Sequence, residues 1–503
     1  DIHEEDFEDV KRLTSMKSIM KYVGNGDIWE PDKVDRFISY NLQELSSKNR
    51  KQYYYKITDD KFVGIIGIHP FLSFKGYYLS VMILPKEQQK DYYKESMEKL
   101  KDKIKKEGIK TDRIKILVRT NNKRMISLCE NNYYYNKERK IKGESFYEFF
   151  YFLRKYTYVT TVIKEEDNKI TGEILEKRGN WERFNPKIHK SPDFIHLYPY
   201  TAATDKKYFS MNCLLKNIVS RKEKITNKNN LFQELEKIPS SRKYLIANYK
   251  VDIKNIDYEK INNMFKKYKV LIFKPIFAGQ GLGIEVFDSF SMFRNFVEGD
   301  GLKKNIKKIN TYFNNRKKVE KFNHWVLQEY IANPMLLDGK KFHVRGYLIT
   351  FAGNLYLMKH GKIVLAKENY KKGDYKNRKI HDTHIHGQLE SLKVYPDDLP
   401  VSKIKKDMII KQIEDLFNLI GSIEPDTKCY EESKNCYQLY GFDVIITQEN
   451  KVKIIEINST TAQYSPKFLT EKELFENQIK LVVDHVFPPK NKVDEDSDFI
   501  QVY

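Results

Sequence analysis

The chain has 503 residues, enough for two or three domains that each bury a core. Hydrophobic residues make up 40%, which excludes a disordered polymer, and no apolar run approaches the roughly 20 residues that cross a bilayer. Ninety Lys and Arg against 69 Asp and Glu leave a net charge of +21. That excess reads either as a solvated Lys-rich surface or as a field that draws in an acidic peptide tail, a nucleotide or a nucleic acid.

The four cysteines, Cys129, Cys213, Cys429 and Cys436, are too few and scattered for a disulfide framework, and no common zinc spacing joins them. They read as structural thiols in a reducing compartment. A start at Asp1 rather than Met is compatible with a leader already removed.

Residues 1–156 alternate strand-like and helix-like stretches. Strands are expected at 61–72 and 76–85, a helix over 90–108 ending at Gly108, a strand at 113–120, a helix over 122–132 and a closing strand at 145–156. A less regular stretch, 157–268, follows. From 269 to 490 the pattern sharpens into strand, glycine loop and strand at 269–287, strands at 324–331 and 341–351, and a hairpin at 440–458. The acidic run Asp494–Asp498 has no apolar face, so 491–503 is expected to be a mobile tail.

The hairpin carries the clearest chemistry. Glu456 and Asn458 are two apart on one strand and share a face, and the hairpin can bring Asp443 beside them. Such a cluster of oxygen ligands suits Mg²⁺ bridging nucleotide phosphates. Lys274, on a strand entering the loop of Gly279, Gly281 and Gly283, can pair with phosphates that loop amides approach closely. Gln328, Tyr330 and Ile331 can flank an adenine. Lys341 and Arg345, four apart on a strand, place two cations on one face, an arrangement that favours an anion between them.

In order along the chain, Lys274-Pro275, the glycine loop, "LQEYIANPMLLDGKKFHVRGY" and "GFDVIITQENKVKIIEIN" resemble the successive signatures of the tubulin–tyrosine ligase-like family, an ATP-grasp fold. The resemblance covers roughly 158–490 and extends to "TAATDKKYF", where Lys207 stands for the family's lysine. It implies ATP phosphates on Lys274 and Lys341, a cofactor-binding place for Lys207, adenine against Gln328, Tyr330 and Ile331, and magnesium on Asp443, Glu456 and Asn458. Arg345 would stabilise an acyl phosphate or hold the acceptor carboxylate, with Lys341 and Glu456 beside it in catalysis. The implied reaction joins a free amino acid, tyrosine or glutamate, to an acidic protein tail such as tubulin's, in a cytoplasmic and cytoskeletal setting. Two positions depart from the family: His343 replaces an aspartate at the nucleotide or substrate site, and Val364 replaces an arginine that binds substrate.

Residues 60–155 resemble a GNAT acetyltransferase, so the expected fold class is α/β (α+β), a GNAT-like domain followed by an ATP-grasp ligase. At the pyrophosphate loop Gln88 fits, but Asp91 and Tyr93 replace glycines, and Cys129 stands where a tyrosine is common. A negative charge and a bulky ring at an anion site argue against acetyl-CoA, leaving a degenerate domain used for binding or positioning. The competing reading of the whole chain is a structural or binding protein that keeps both folds without catalysis. Nucleic-acid binding ranks last, for want of any recognised motif.

Overall fold

A computed structural model describes residues 1–503 except 72–73, 89, 110, 142, 162–164, 198–207, 209, 220–222, 277–280, 313–322, 382–392, 424–427, 430, 432, 460–468, 492 and 495. Lys207 and Gly279 therefore lie outside the described residues. The chain forms two compact units. One comprises residues 1–157, 173–183 and 487–494, and the other 158–172, 184–486 and 495–503. The stretches 157–268 and 269–490 do not separate into units of their own.

The first unit has a sheet in the order β1 (Tyr53–Asp59), β2 (Lys61–Phe71), β3 (Phe74–Ile83), β4 (Arg113–Arg119), β6 (Glu144–Phe152) and β5 (Tyr134–Ile141), all antiparallel except β3–β4. The helix Tyr92–Lys106 buries Tyr93, Met97, Leu100 and Ile104, a three- and four-residue spacing that turns one stripe to the sheet, and Gly108 follows at φ +66°. Helix Pro31–Ser46, which begins on a proline, buries Val34 and Ile38 in a second cluster with Phe62, Ile65 and Met82.

The second unit begins within β7 (Tyr156–Thr160), before the chain makes β8 (Trp181–Arg183) in the first unit. It then makes β9 (Phe194–His196), β10 (Cys213–Lys216), β11 (Asn248–Asp252), β12 (Leu271–Pro275), β13 (Glu285–Phe287) and β14 (His324–Glu329). After β15 (Leu336–Leu337) come the long β16 (Lys340–Phe351), β17 (Asn354–Met358), β18 (Gly361–Leu365) and β19 (Lys393–Tyr395). The last strands are β20 (Ser433–Ile446), β21 (Val452–Asn458) and β22 (Phe499–Gln501). A small sheet runs β11-β14-β12-β13, and the larger one runs β19-β18-β16-β20-β10-β9-β7. One edge of β20 pairs first with β10 and then, past Gly441, with β21. Helix Lys403–Gly421 covers one face of the larger sheet through Ile409, Ile413, Leu416, Phe417 and Ile420. Among the described residues no helix is long and apolar enough to cross a membrane.

Two expectations are overturned here. Cys429 and Cys436 form a disulfide, because the chain entering β20 turns back and sets their Cα atoms 5.5 Å apart; Cys129 and Cys213 are buried thiols. The C-terminal residues are not a free tail. The Asp498 amide donates to Asn477 Oδ1 (2.6 Å), the Lys359 amide donates to the Asp498 carbonyl (2.9 Å), and β22 pairs with β17. Backbone hydrogen bonds to a sheet edge hold this segment, a source of order that the search for an apolar face overlooks.

Gly346, at the centre of β16, faces Phe442 on β20 so closely that an added Cβ would lie 2.0 Å from the ring's Cζ. Phe442 is itself pinned against Phe417, with ring centroids 4.2 Å apart. Gly346→Ala is therefore expected to destabilise the second unit by about 1–3 kcal/mol through overpacking, read as a lowered urea midpoint.

Candidate active site

The pairing registers place four charged residues in one row across four adjacent strands. Lys362 on β18 is opposite Arg345 on β16, Arg345 is opposite Asp443 on β20, and Asp443 is opposite Glu456 on β21. Directly opposed residues share a sheet face, so the row reads cation, cation, anion, anion along one surface. A register shift between Asp443 and Val444 interrupts the β20–β21 ladder at the two acids.

Arg345 grips Asp443 at two points, Nε to Oδ1 at 2.5 Å and Nη2 to Oδ2 at 2.8 Å, and His343 Nε2 lies 3.4 Å from the same Oδ1. Burial alone would raise the Asp443 carboxyl, but Arg345 and His343 hold it well below the usual carboxylate range. Burial also pushes Glu456 up. The charge of Lys228, 2.9 Å from Oε2, together with Lys274 and the Asn458 amide, overcomes burial and the repulsion of Asp443 to bring Glu456 down to about 2. Both acids are thus ionised at neutral pH.

These acids form part of the wall of a cleft enclosing about 1110 Å³ of space open to solvent, between the small sheet and the larger one. Its polar lining includes Lys228, Lys274, Glu285, Lys341, His343, Lys376 and Arg378, and its apolar lining includes Ile272, Leu282, Val286, Phe342, Ile445 and Ile455. Lys274 donates to Gln328 Oε1 (2.9 Å), and burial lowers its ammonium to about 8. The Lys341 ammonium sits 4.1 Å from the centre of the Tyr330 ring, and burial lowers it to about 7. Tyr330 is fixed in turn by His381. Because His381 Nε2 must donate to the Asp374 carbonyl (2.7 Å), a neutral His381 accepts the Tyr330 hydroxyl proton at Nδ1 (2.6 Å).

Several residues expected at a nucleotide site therefore stand one layer behind the cleft surface. Gln328 backs Lys274, Tyr330 backs Lys341, and Ile331 packs on the main core. The Gln328 amide nitrogen is buried without a hydrogen-bond partner. Gly281 does line the cleft, at φ +70°, and its carbonyl accepts from Arg378 Nη2 (2.6 Å). Asn458 meets Glu456 as the two-residue spacing requires, donating to Oε1 at 2.8 Å. His343 and Val364, the two departures, are cross-strand partners.

Sequence reasoning missed Lys228, Lys362, Arg378 and the His381–Tyr330 contact. Lys228 opens a helix capped by Asn227, whose side chain accepts from the amides of Asn229 and Asn230; that cap was the available signal. Among the described residues no group of three or more His, Cys, Asp or Glu could hold a metal ion.

In the first unit two residues of the expected pyrophosphate loop, Gln88 and Tyr93, are already engaged by protein groups. Gln88 donates to the Ile83 carbonyl (2.8 Å), Arg124 donates to both the Gln88 carbonyl and its Oε1, and Tyr93 is buried against Tyr133.

Comparison with known proteins fits both units. Residues 1–132 match the model of the acetyltransferase (GNAT) domain, and residues 210–496 match that of the tubulin-tyrosine ligase family. A "probable tubulin–tyrosine ligase" of Schizosaccharomyces pombe is 28% identical over 208 residues, covering 37% of this chain and 51% of that protein. A "probable tubulin–tyrosine ligase" of Saccharomyces cerevisiae is 26% identical over 272 residues, 46% of this chain and 36% of that one. A "probable alpha-tubulin polyglutamylase" of Tetrahymena thermophila is 28% identical over 185 residues, 33% of this chain and 44% of that one. The matched segments thus span about half of these relatives' length or less. With a GNAT domain at its N-terminus and the second match covering more than half of its residues, the chain belongs to the tubulin-tyrosine ligase family.

Proposed function

We propose that this protein is an ATP-dependent carboxylate–amine ligase that adds an amino acid, tyrosine or glutamate, to the acidic tail of a protein, with tubulin as the acceptor. The observation that carries the reading is the conjunction of two buried lysines, Lys274 and Lys341, with two ionised acids, Asp443 and Glu456, around one cleft. Buried ammonium groups pulled that far down call for an anion, and a polyphosphate supplies one to both. The apolar wall suits a base.

The donor set at the acidic end, two carboxylates and the Asn458 amide, fits Mg²⁺, which takes oxygen ligands from a few side chains and leaves the rest to water and phosphate. Bound there, Mg²⁺ would offset charge on the phosphate oxygens. Lys228 and Arg345, which now neutralise these acids, would then be released toward substrate. In the reaction an acceptor carboxylate oxygen attacks the γ-phosphorus and the bond to ADP breaks. The amine of the added amino acid next attacks the acyl carbon, phosphate leaves and the amine loses a proton. Arg345 is placed to steady the acyl phosphate, and Lys341 and Lys274 to hold the departing phosphates.

A second reading, a binding protein without catalysis, is favoured by one observation: protein cations already neutralise both acids. Mg²⁺-dependent ADP release that requires both an amino acid and tubulin supports the ligase; binding of ATP with no turnover under any pairing of donor and acceptor supports the alternative.

For the GNAT domain we propose a positioning role without acetyl transfer. Asp91 puts a negative charge at the N-terminus of the helix that would face a pyrophosphate, and Arg124 is engaged by Gln88. Titration calorimetry with coenzyme A is expected to show no saturable binding up to millimolar concentration; a micromolar affinity would refute this role.

A further inference from the structure

The Lys341 ammonium lies over the Tyr330 ring, 4.1 Å from its centre. A ring face attracts a cation through its electron density, so whatever enriches that ring favours the charged form of Lys341. The Tyr330 hydroxyl meets His381 Nδ1 at 2.6 Å, with the two rings edge to face and their centroids 5.4 Å apart. Tyr370 stands beside the same hydroxyl but donates its own proton to the Ala332 carbonyl (2.9 Å). With His381 Nε2 donating to the Asp374 carbonyl (2.7 Å), the proton between Nδ1 and the hydroxyl comes from Tyr330. Burial holds that hydroxyl far above its ordinary range, so its proton is shared with the imidazole and not lost to it. A phenol polarised in this way by a nitrogen base carries more electron density on its ring.

His381 lines the cleft, yet both of its ring nitrogens face protein groups, so its polar edge is not offered to a ligand. It ends the short helix Arg378–His381 and is 51 positions from Tyr330. Backbone bonds aim it there: the Ala366 amide donates to the Lys341 carbonyl (2.8 Å), and the Lys367 amide donates to the Lys379 carbonyl (3.0 Å). The Tyr330, Tyr370 and Tyr375 rings surround the imidazole, with centroids no more than 6.0 Å away. Burial first, and the Lys341 charge after it, lower the imidazole against the pull of Asp374, so the accepting form prevails at neutral pH.

Resting on the nucleotide part of the ligase reading, we infer that His381 is a positioning residue for nucleotide binding, acting on Lys341 through Tyr330. It sets the Tyr330 hydroxyl and so favours the ammonium form of Lys341 where phosphates would sit. Its effect therefore follows the charge of Lys341, and is absent in Lys341→Arg, whose guanidinium stays charged.

The test is titration of the full chain with a fluorescent ADP analogue across neutral and mildly alkaline pH, with urea midpoints as the check on folding. His381→Leu and Tyr330→Phe should each raise the dissociation constant at neutral pH about three- to tenfold, the scale of one hydrogen bond. Each should also start the loss of affinity at a lower pH, because Lys341 gives up its proton sooner. The double substitution should be about as weak as the weaker single one, since both remove the same contact. His381→Asn, which keeps an acceptor near the place of Nδ1, should stay within about threefold of wild type. In Lys341→Arg, adding His381→Leu should leave ADP affinity nearly unchanged, which a merely structural histidine would not allow. An unchanged affinity in Tyr330→Phe, a pH course that does not move, or an equal loss in Lys341→Arg overturns the inference. If His381→Leu fails to fold, Tyr330→Phe with and without Lys341→Arg decides alone. Wild type that binds ADP without amino-acid-dependent ADP release overturns the ligase reading and leaves this inference standing; wild type that binds no ADP overturns both.

Discussion

Replacing Glu456 by Gln is expected to lower amino-acid-dependent ADP release by about 10²–10³-fold or more, the scale of losing a preorganised electrostatic contact in a transition state. The substitution keeps shape and hydrogen-bonding capacity but removes one negative charge. Glu456 ends the charged row and is held ionised, down to about 2, chiefly by Lys228 against the push of burial. The glutamine leaves Lys228 and Lys274 without that charge, so they repel a divalent cation more and hold phosphates more firmly. Nucleotide affinity without metal should therefore be kept or increased while turnover collapses. Fluorescent-ADP titration beside a coupled ADP-release assay separates the two. A variant with near-normal turnover would remove Glu456 from the catalytic set.

The second large effect is on nucleotide affinity as a function of pH. Lys341 is lowered to about 7 by burial and Lys274 to about 8, so above these values the cleft loses positive charge. Phosphate oxygens favour the ammonium form, so binding returns the lysine toward its ordinary 10.5 and takes up a proton. For one proton taken up, affinity falls by about tenfold per pH unit, and between pH 7 and 9 the nucleotide's own phosphates no longer change charge. The ADP dissociation constant should therefore rise about ten- to a hundredfold from pH 7 to 9. Lys341→Arg should flatten the slope between pH 7 and 8, because a guanidinium stays charged throughout. Lys341→Met should weaken ADP binding at pH 7 itself by about ten- to a hundredfold. Calorimetry in buffers of different ionisation heat reports the proton directly; a pH-independent affinity with no proton uptake contradicts this account of the cleft.

What was legible in the sequence follows from what is local. The β20–β21 hairpin needs only a short turn at Asn450, φ +62°, so the meeting of Asp443 with Glu456 could be deduced from chain order and the period of two. The core strands β2, β3, β4 and β6 show as apolar runs, and the Tyr92–Lys106 helix shows by its stripe. The rest depends on long-range register. Lys362 reaches Arg345 because β17 turns the chain so that β18 lies on the near half of β16, and no residue type announces that offset. Lys228 arrives at Glu456 from 228 positions earlier in the chain, on an unrelated helix. Helix Lys403–Gly421 escaped notice because Ile404 and Met408 point outward, 74% and 57% exposed, and blur its apolar stripe. β22 was missed for the same reason, since its pairing with β17 depends on where distant backbone returns.

The ligase reading is tested most directly by ADP release from Mg-ATP by the full chain, offered tubulin together with each amino acid in turn, with omission of either substrate as the control. The account predicts release that needs tubulin and one amino acid at once, with that amino acid incorporated into tubulin one for one with the ADP formed. Failure to bind ATP at all would contradict the account and leave the charged row as a structural feature of the sheet.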